Sequence, residues 1–240
     1  MGKLTILMKF ELENLTRFPV LELLLLFLTI SSFASPSPGL ASSSKLGREL
    51  YSLICFSVSH YLMLSIINSY TLTAIAVSSL AALSIAFEAE TRQMELLLLQ
   101  PIKRKDVFLS KILSIQLVVT PIQVMSALLS TATYFHKLAT CISPVAILML
   151  LYMSFLSIIF PMSLTLTSFV AIKRSFLSLM ISLIILVIPL FIRVEFLPPR
   201  VFTNATYLDF MKLFESTIPV LFFSILTLTM DYYLYRRMEL

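Results

Sequence analysis

Glycine is almost absent from this chain. There are three, Gly2, Gly39 and Gly47. A phosphate-binding P-loop needs two glycines followed by lysine and Ser or Thr, and no such run exists here. Whatever drives the protein, it does not bind ATP in that way. Cysteine is nearly as scarce. Cys55 and Cys141 form no CxxC, and neither pairs with His60 or His136 at a metal-ligand spacing. Charge is also thin, at 13% of residues, against about a quarter in soluble domains. The net charge of +5 does not point to nucleic acid. A nucleic-acid binder sets basic residues on a soluble face with aromatics between them. Here they stand at the ends of apolar runs, the pattern of the positive-inside rule.

What fills the sequence is apolar: 58% hydrophobic residues and a mean hydropathy of +0.95. The expectation is a single-domain, all-α, polytopic membrane protein over residues 1–240. Residues 3–17 read as an amphipathic interfacial helix. Leu4, Leu7, Met8, Leu12 and Leu15 form its stripe, opposed by Lys3, Lys9, Glu13, Asn14 and Arg17. Glu11 and Glu13 argue against a signal-peptide n-region.

Six spans are expected. The first covers about 18–33, with Glu22 one turn inside, either snorkelling or binding an ion. Residues 34–50 read as an outer loop. The apolar stretch 53–87 exceeds the roughly 20 residues a span needs, so a short interfacial helix precedes the second span or that span is long and tilted. Within it Ala74, Ser78, Ala82 and Ala86 form a small-residue ridge that lets another helix approach closely. His60 and Asn68 are polar in its outer half, open to packing, water or substrate.

The third span follows Asp106, a candidate N-cap, to about Thr131. The fourth covers about 144–169 and the fifth about 176–192, with Lys173 and Arg174 as the turn between them. Pro121, Pro161 and Pro189 kink these three spans, as a path or as packing requires. Residues 193–215 are too polar to span, and the sixth span runs from about Ser216 to Tyr235. Tyr232, Tyr233 and Tyr235 suit an interfacial belt. Asn204-Ala-Thr206 is a glycosylation sequon on the expected outer side.

The connection from Phe87 to Lys111 is the one long segment both charged and amphipathic. Glu88 and Arg92 stand i,i+4 for an ion pair, and Met94, Leu97 and Leu98 share a helical face. A helix over Glu88–Gln100 is stopped by Pro101, ahead of the basic turn Lys103, Arg104, Lys105. This segment resembles the cytoplasmic coupling segment of ABC-2 type transporter permeases. Glu88, Glu90, Glu95, Leu96 to Leu99, Pro101, Lys103, Arg104 and Lys111 match in order, whereas Arg92 and Gln93 stand where a small residue is usual. The match is direct over this segment only.

The resemblance implies a transporter subunit and not an enzyme, a membrane permease of an ATP-driven exporter. A separate ABC ATPase, carrying ATP and Mg, would dock on residues 88–105. A second permease copy would complete a homodimer or heterodimer. This chain itself would bind no cofactor, metal or nucleic acid, and its membrane is the plasma membrane. The resemblance also implies short re-entrant helices over 193–215. The coupling residues it picks out are Glu88, Glu90, Arg92, Glu95, Leu97, Leu98, Pro101, Lys103 and Arg104. Against a partner ATPase stands another reading of the leucine patch, resting on lipid headgroups with the basic turn on anionic lipid. A self-contained secondary transporter or channel would carry internal repeats or midplane charges, and an intramembrane enzyme would need converging catalytic groups. The sequence has neither in clear form. The substrate expected is amphiphilic or hydrophobic.

With the N-terminus inside, 12 of the 18 basic residues fall on inner segments, which supports cytoplasmic termini. Cys55 and Cys141 then both lie near the outer surface. They are two buried thiols, or a disulfide that an oxidising exterior permits.

Overall fold

The computed structural model describes residues 3–17, 26, 30, 48–91, 104–135, 142–191 and 198–237. Among these there is no strand. Four helices are long and apolar enough to cross a membrane, Cys55–Glu90, Arg104–Tyr134, Pro144–Ile172 and Phe210–Leu234, and a shorter apolar helix covers Ser175–Ile188. The chain is therefore an all-helical membrane protein. Of the expected first span, Leu26 and Ile30 are helical and exposed; Glu22 lies outside the described residues.

Helix α1 is Lys3–Arg17. Helix α2 starts at Arg48 and runs to Ala81, where a π-helical stretch, Ala82–Phe87, carries it into a last α-helical turn, Glu88–Glu90. No separate interfacial helix precedes it within 48–90, so the long form of this span is the one present. Its stretch Cys55–Glu90 has 36 residues. At about 1.5 Å per residue that is roughly 54 Å, well beyond a hydrocarbon core of about 30 Å. Part of the helix therefore projects beyond the hydrocarbon, or the helix tilts strongly. Helix α3 is Arg104–Tyr134, α4 is Pro144–Ile172 and α5 is Ser175–Phe191. A short helix α6, Pro198–Val201, and a 3-10 turn, Phe202–Tyr207, lead into α7, Phe210–Arg237.

Local chemistry sets several of these ends. Ser143 caps α4, its Oγ accepting from the Ala146 N–H at 3.1 Å, and Pro144 follows in the first turn. There its fixed φ suits the helix and its missing N–H is no loss. At the other end Lys173 takes a left-handed conformation, φ 57°, and its N–H returns to the Phe169 carbonyl at 2.7 Å. Glycine usually fills such a position; a chain with three glycines uses lysine. The expected cap at Asp106 is displaced, because α3 already starts at Arg104 and Asp106 sits inside its first turn. Its carboxylate there still faces the positive end of the helix dipole. The last span likewise begins earlier than Ser216. Asp209 Oδ1 accepts from the N–H groups of Met211 and Lys212 at 3.1 and 3.3 Å, so an Asp cap starts the helix at Phe210.

The bundle has two ends, here basal and distal. Helix α1, the end of α2 and the start of α3 meet at the basal end. Phe108 on α3 packs on Tyr232 of α7, ring centroids 5.8 Å apart, so α7 finishes there too. Helix α2 begins at the far end. The basal core gathers Leu7, Ala81, Ile85, Val107, Phe108, Ile158 and Phe169, and the distal core gathers Leu62, Ile66, Met149, Met153, Leu186, Phe202 and Leu213. The small-residue ridge is buried throughout, with Ala74, Ser78, Ala82 and Ala86 all at 3% exposure or less. Side chains this short let α2 lie deep in the bundle against α4.

Candidate functional site, a charged knot at the basal end

Lys111 is on the inward face of α3, in line with Val107, Ser114 and Ile115, all buried. Its own side chain is 1% exposed. A lone ammonium in such a place costs several kcal/mol in desolvation, by order of magnitude. Two carboxylates offset it. Lys111 Nζ lies 2.9 Å from Glu11 Oε1 of α1 and 2.9 Å from Glu88 Oε2 of α2. Glu11 is also buried, and Glu88 keeps partial solvent contact. One lysine thus ties three helices together.

A third carboxylate, two residues after Glu88, makes a separate clasp. Glu90 is exposed, and its Oε2 accepts from the Ser175 N–H at 2.8 Å and from the Ser175 Oγ–H at 2.6 Å. Ser175 opens α5, so Glu90 satisfies one of the N–H groups that a helix start leaves free and places negative charge at the positive end of its dipole. The final turn of α2 therefore contacts α3 and α5 through two acidic side chains, and reaches α1 through Lys111.

This arrangement departs from the expected one in a definite way. Glu88 does not open a new protruding helix; Glu88–Glu90 is the last turn of α2. Thr91 leaves the helix at φ −83°, ψ 2°, its hydroxyl donating to the Phe87 carbonyl at 2.9 Å. The expected partner of Glu88, Arg92, lies outside the described residues, as do Glu95, Leu97, Leu98, Pro101 and Lys103. Arg104 is the first residue of α3 and is half-buried. Of the interfacial-helix cations, Lys3 and Arg17 bound α1 and Lys9 is exposed.

The stripe of α1 also faces differently. Leu7 and Glu11 are buried, whereas Ile6 and Phe10 are exposed. The helix docks on the bundle, chiefly on α3, and turns a second apolar edge outward. In the sequence Glu11 argues only against a signal peptide. Its spacing was the available signal, since Leu7, Glu11 and Leu15 recur every four residues. An acid in line with a stripe that must be buried needs a cation across from it.

The distal end is built from other materials. His60 Nδ1 donates to the Thr206 carbonyl at 2.9 Å, so the first of the polar residues expected in the outer half of α2 is a packing residue. Asn68 is exposed. Tyr61 meets Tyr134 and Phe135 edge-on, each with centroids 5.4 Å apart, and Tyr70 meets Phe202 edge-on at 5.5 Å. Tyr152 and Thr217 share a 2.6 Å hydrogen bond between α4 and α7. Cys55 is disulfide-bonded, and Cys141 is the only other cysteine of the sequence. The simpler expectation of two free buried thiols is thereby corrected. Segment 198–207 is helical, as two short pieces, and lies at this end through His60 and Phe202.

The basal knot can hold helices and transmit displacement between them. Among the described residues no group of three or more His, Cys, Asp or Glu is placed to hold a metal ion. No protein-family model matches the sequence, and no curated protein does.

Proposed function

We propose that the chain is the membrane-spanning permease subunit of an ATP-driven exporter of the ABC-2 type. It has six spans, with both termini in the cytoplasm of a plasma-membrane protein. A separate ATPase subunit, holding ATP and Mg, docks on the α2–α3 connection over residues 88–105, and a second permease copy completes the path. The cargo is an amphiphilic or hydrophobic molecule.

The observation that carries this reading is the anchoring of the connection at both sides. It leaves α2 directly after Glu88, which pairs with Lys111, and Glu90, which accepts from Ser175, and it re-enters at Arg104, two turns before Lys111. A load on this connection reaches α3 and α1 through two 2.9 Å ion pairs on Lys111, and α5 through the Glu90–Ser175 hydrogen bonds. A rocking motion of packed helices needs such stiff links. The disulfide at Cys55 supports the orientation, because disulfides persist on the oxidising side of a membrane and Cys55 is distal. The basal end, rich in Lys and Arg, is then the cytoplasmic one.

The test uses Leu97→Asp with Leu98→Asp, which alters the docking patch and leaves the Glu88 and Glu90 contacts alone. The wild-type chain should co-purify with an ATPase whose hydrolysis rises when transport cargo is added to the reconstituted pair. The double variant should insert normally and lose the ATPase. Transport by the purified chain alone, without ATP, would sink the proposal. Topology is checked by cysteine labelling from outside, which should reach positions 45 and 137 and not 104 or 173.

A further inference from the structure

A buried acid stands apart from the basal knot. Asp231 of α7 is 2% exposed and lies near the end of the membrane-compatible stretch Phe210–Leu234. An ionisable group in such a stretch is costly and calls for a partner. The partner here is a hydroxyl: Asp231 Oδ2 lies 3.0 Å from Thr167 Oγ1 on α4. That same Oγ1 lies 2.8 Å from the Ser163 carbonyl oxygen, one turn back along α4.

A threonine hydroxyl has one proton to donate, and two oxygens compete for it. The Ser163 carbonyl has none to offer in return. With Asp231 ionised, one of the two close oxygen pairs is left as lone pair against lone pair. With a proton on Oδ2, Asp231 donates to Thr167 Oγ1, Thr167 donates to the Ser163 carbonyl, and both distances become hydrogen bonds in one chain. A metal ion would need a shell of oxygens around one point; these three oxygens form a line at hydrogen-bond lengths.

Among the described side chains none supplies a substitute charge. Helix α4, the main neighbour of α7, has no Asp, Glu, Lys, Arg or His over Pro144–Ile172. On α3, Lys111 is held by Glu11 and Glu88, while Arg104, Lys105 and Asp106 head that helix. Arg236 and Arg237 follow on α7 itself. Among the described residues, no ion pair joins Asp231 to any cation.

We propose that Asp231 is an intramembrane proton-binding site, and that the α4–α7 seam is built around its protonated carboxyl with Thr167 as the acceptor. Loss of the proton would leave a buried carboxylate competing with the Ser163 carbonyl for one hydroxyl proton, with no cation to offset it, and part the two helices at the basal end, where the neighbouring Tyr232 packs on Phe108. This inference stands independently of the exporter reading.

The test uses the full chain in lipid nanodiscs at neutral pH. Infrared difference spectra should contain a protonated-carboxyl stretch that Asp231→Asn removes. Thr167→Val should keep the band and move it to higher frequency, because the proton loses its acceptor. Dicyclohexylcarbodiimide, which attacks protonated carboxyls in apolar surroundings, should modify Asp231 in the wild type, read by peptide mass, and modification should fall as pH is raised. An unmodified Asp231 peptide, or no carboxyl band that depends on residue 231, overturns the proposal. An unshifted band in Thr167→Val overturns the role of Thr167. The wild-type labelling decides the matter by itself should Asp231→Asn fail to accumulate.

Discussion

The two ends of this bundle are held by different forces. At the basal end, one lysine and two carboxylates join three helices, and a third carboxylate clasps a fourth. At the distal end, aromatic edges, a tyrosine–threonine bond and a disulfide do the work. Charge pairs are short-ranged and discrete, and losing one partner leaves the other buried and unpaired. Interlocked aromatics and a covalent bond resist displacement without such a switch. The basal end thus depends on partners that can be lost singly, and the distal end on packing and a covalent bond.

The largest effect should come from breaking the basal knot. Lys111→Ala leaves Glu11 and Glu88 without their shared cation, a loss of about 3 to 5 kcal/mol for a buried pair. The variant should accumulate poorly, and thermal unfolding followed by size-exclusion should begin well below the wild type. A compensated variant, Lys111→Met with Glu11→Gln and Glu88→Gln, should recover most of the stability, since no unpaired charge remains. If it stays as weak as Lys111→Ala, the charge account of the knot is wrong.

A comparable blow at the distal end is Phe202→Ala. Phe202 is fully buried beside Tyr70, and truncating a buried phenylalanine costs about 3 kcal/mol or more. The informative readout is where the damage appears. Hydrogen exchange should rise in α2 around Tyr70 and in α7 around Leu213 and leave α1 protected. Lys111→Ala should do the reverse. Equal loosening at both ends in either variant would mean the bundle does not divide as described.

Cys55→Ser should cost about 2 to 4 kcal/mol, the usual range for a disulfide, with a lower melting temperature and added exchange confined to the distal half. The smallest effect belongs to Glu90→Gln. Its side chain is exposed and the amide oxygen still accepts from Ser175, so only charge at the start of α5 is lost, worth about 0.3 to 1 kcal/mol. A loss larger than that of Cys55→Ser would show that Glu90 holds more than the start of α5.

The spans were legible because the solvent dictates them. A run of apolar residues long enough to cross lipid must be helical, since no water can satisfy its backbone, and the third and fourth spans were placed within a few residues on that ground. The Lys173–Arg174 turn and the Ser143-Pro144 start were readable for equally local reasons. The basal knot was legible only in part. Lys111 and Glu88 stood out as charges at the edges of apolar runs. Glu11 and Ser175 did not, because each acquires its role from a residue far along the chain. Asp231 passed unnoticed although a single acid in the last span is a plain signal, and a count of intramembrane charges would have found it.

By itself, then, the sequence determined the solvent of this protein, its helical class and the places where its chain turns. Those follow from hydropathy, period and end chemistry, all of which act over one or two helical turns. The tertiary structure decided which helices share Lys111, that Glu90 caps α5, that α1 docks by its Leu7–Glu11 edge, and that α2 continues through a π-helical stretch to carry Glu88 inward. Each of these joins residues tens of positions apart. A buried charge selects its partner by distance and burial, and neither quantity exists until the helices have packed.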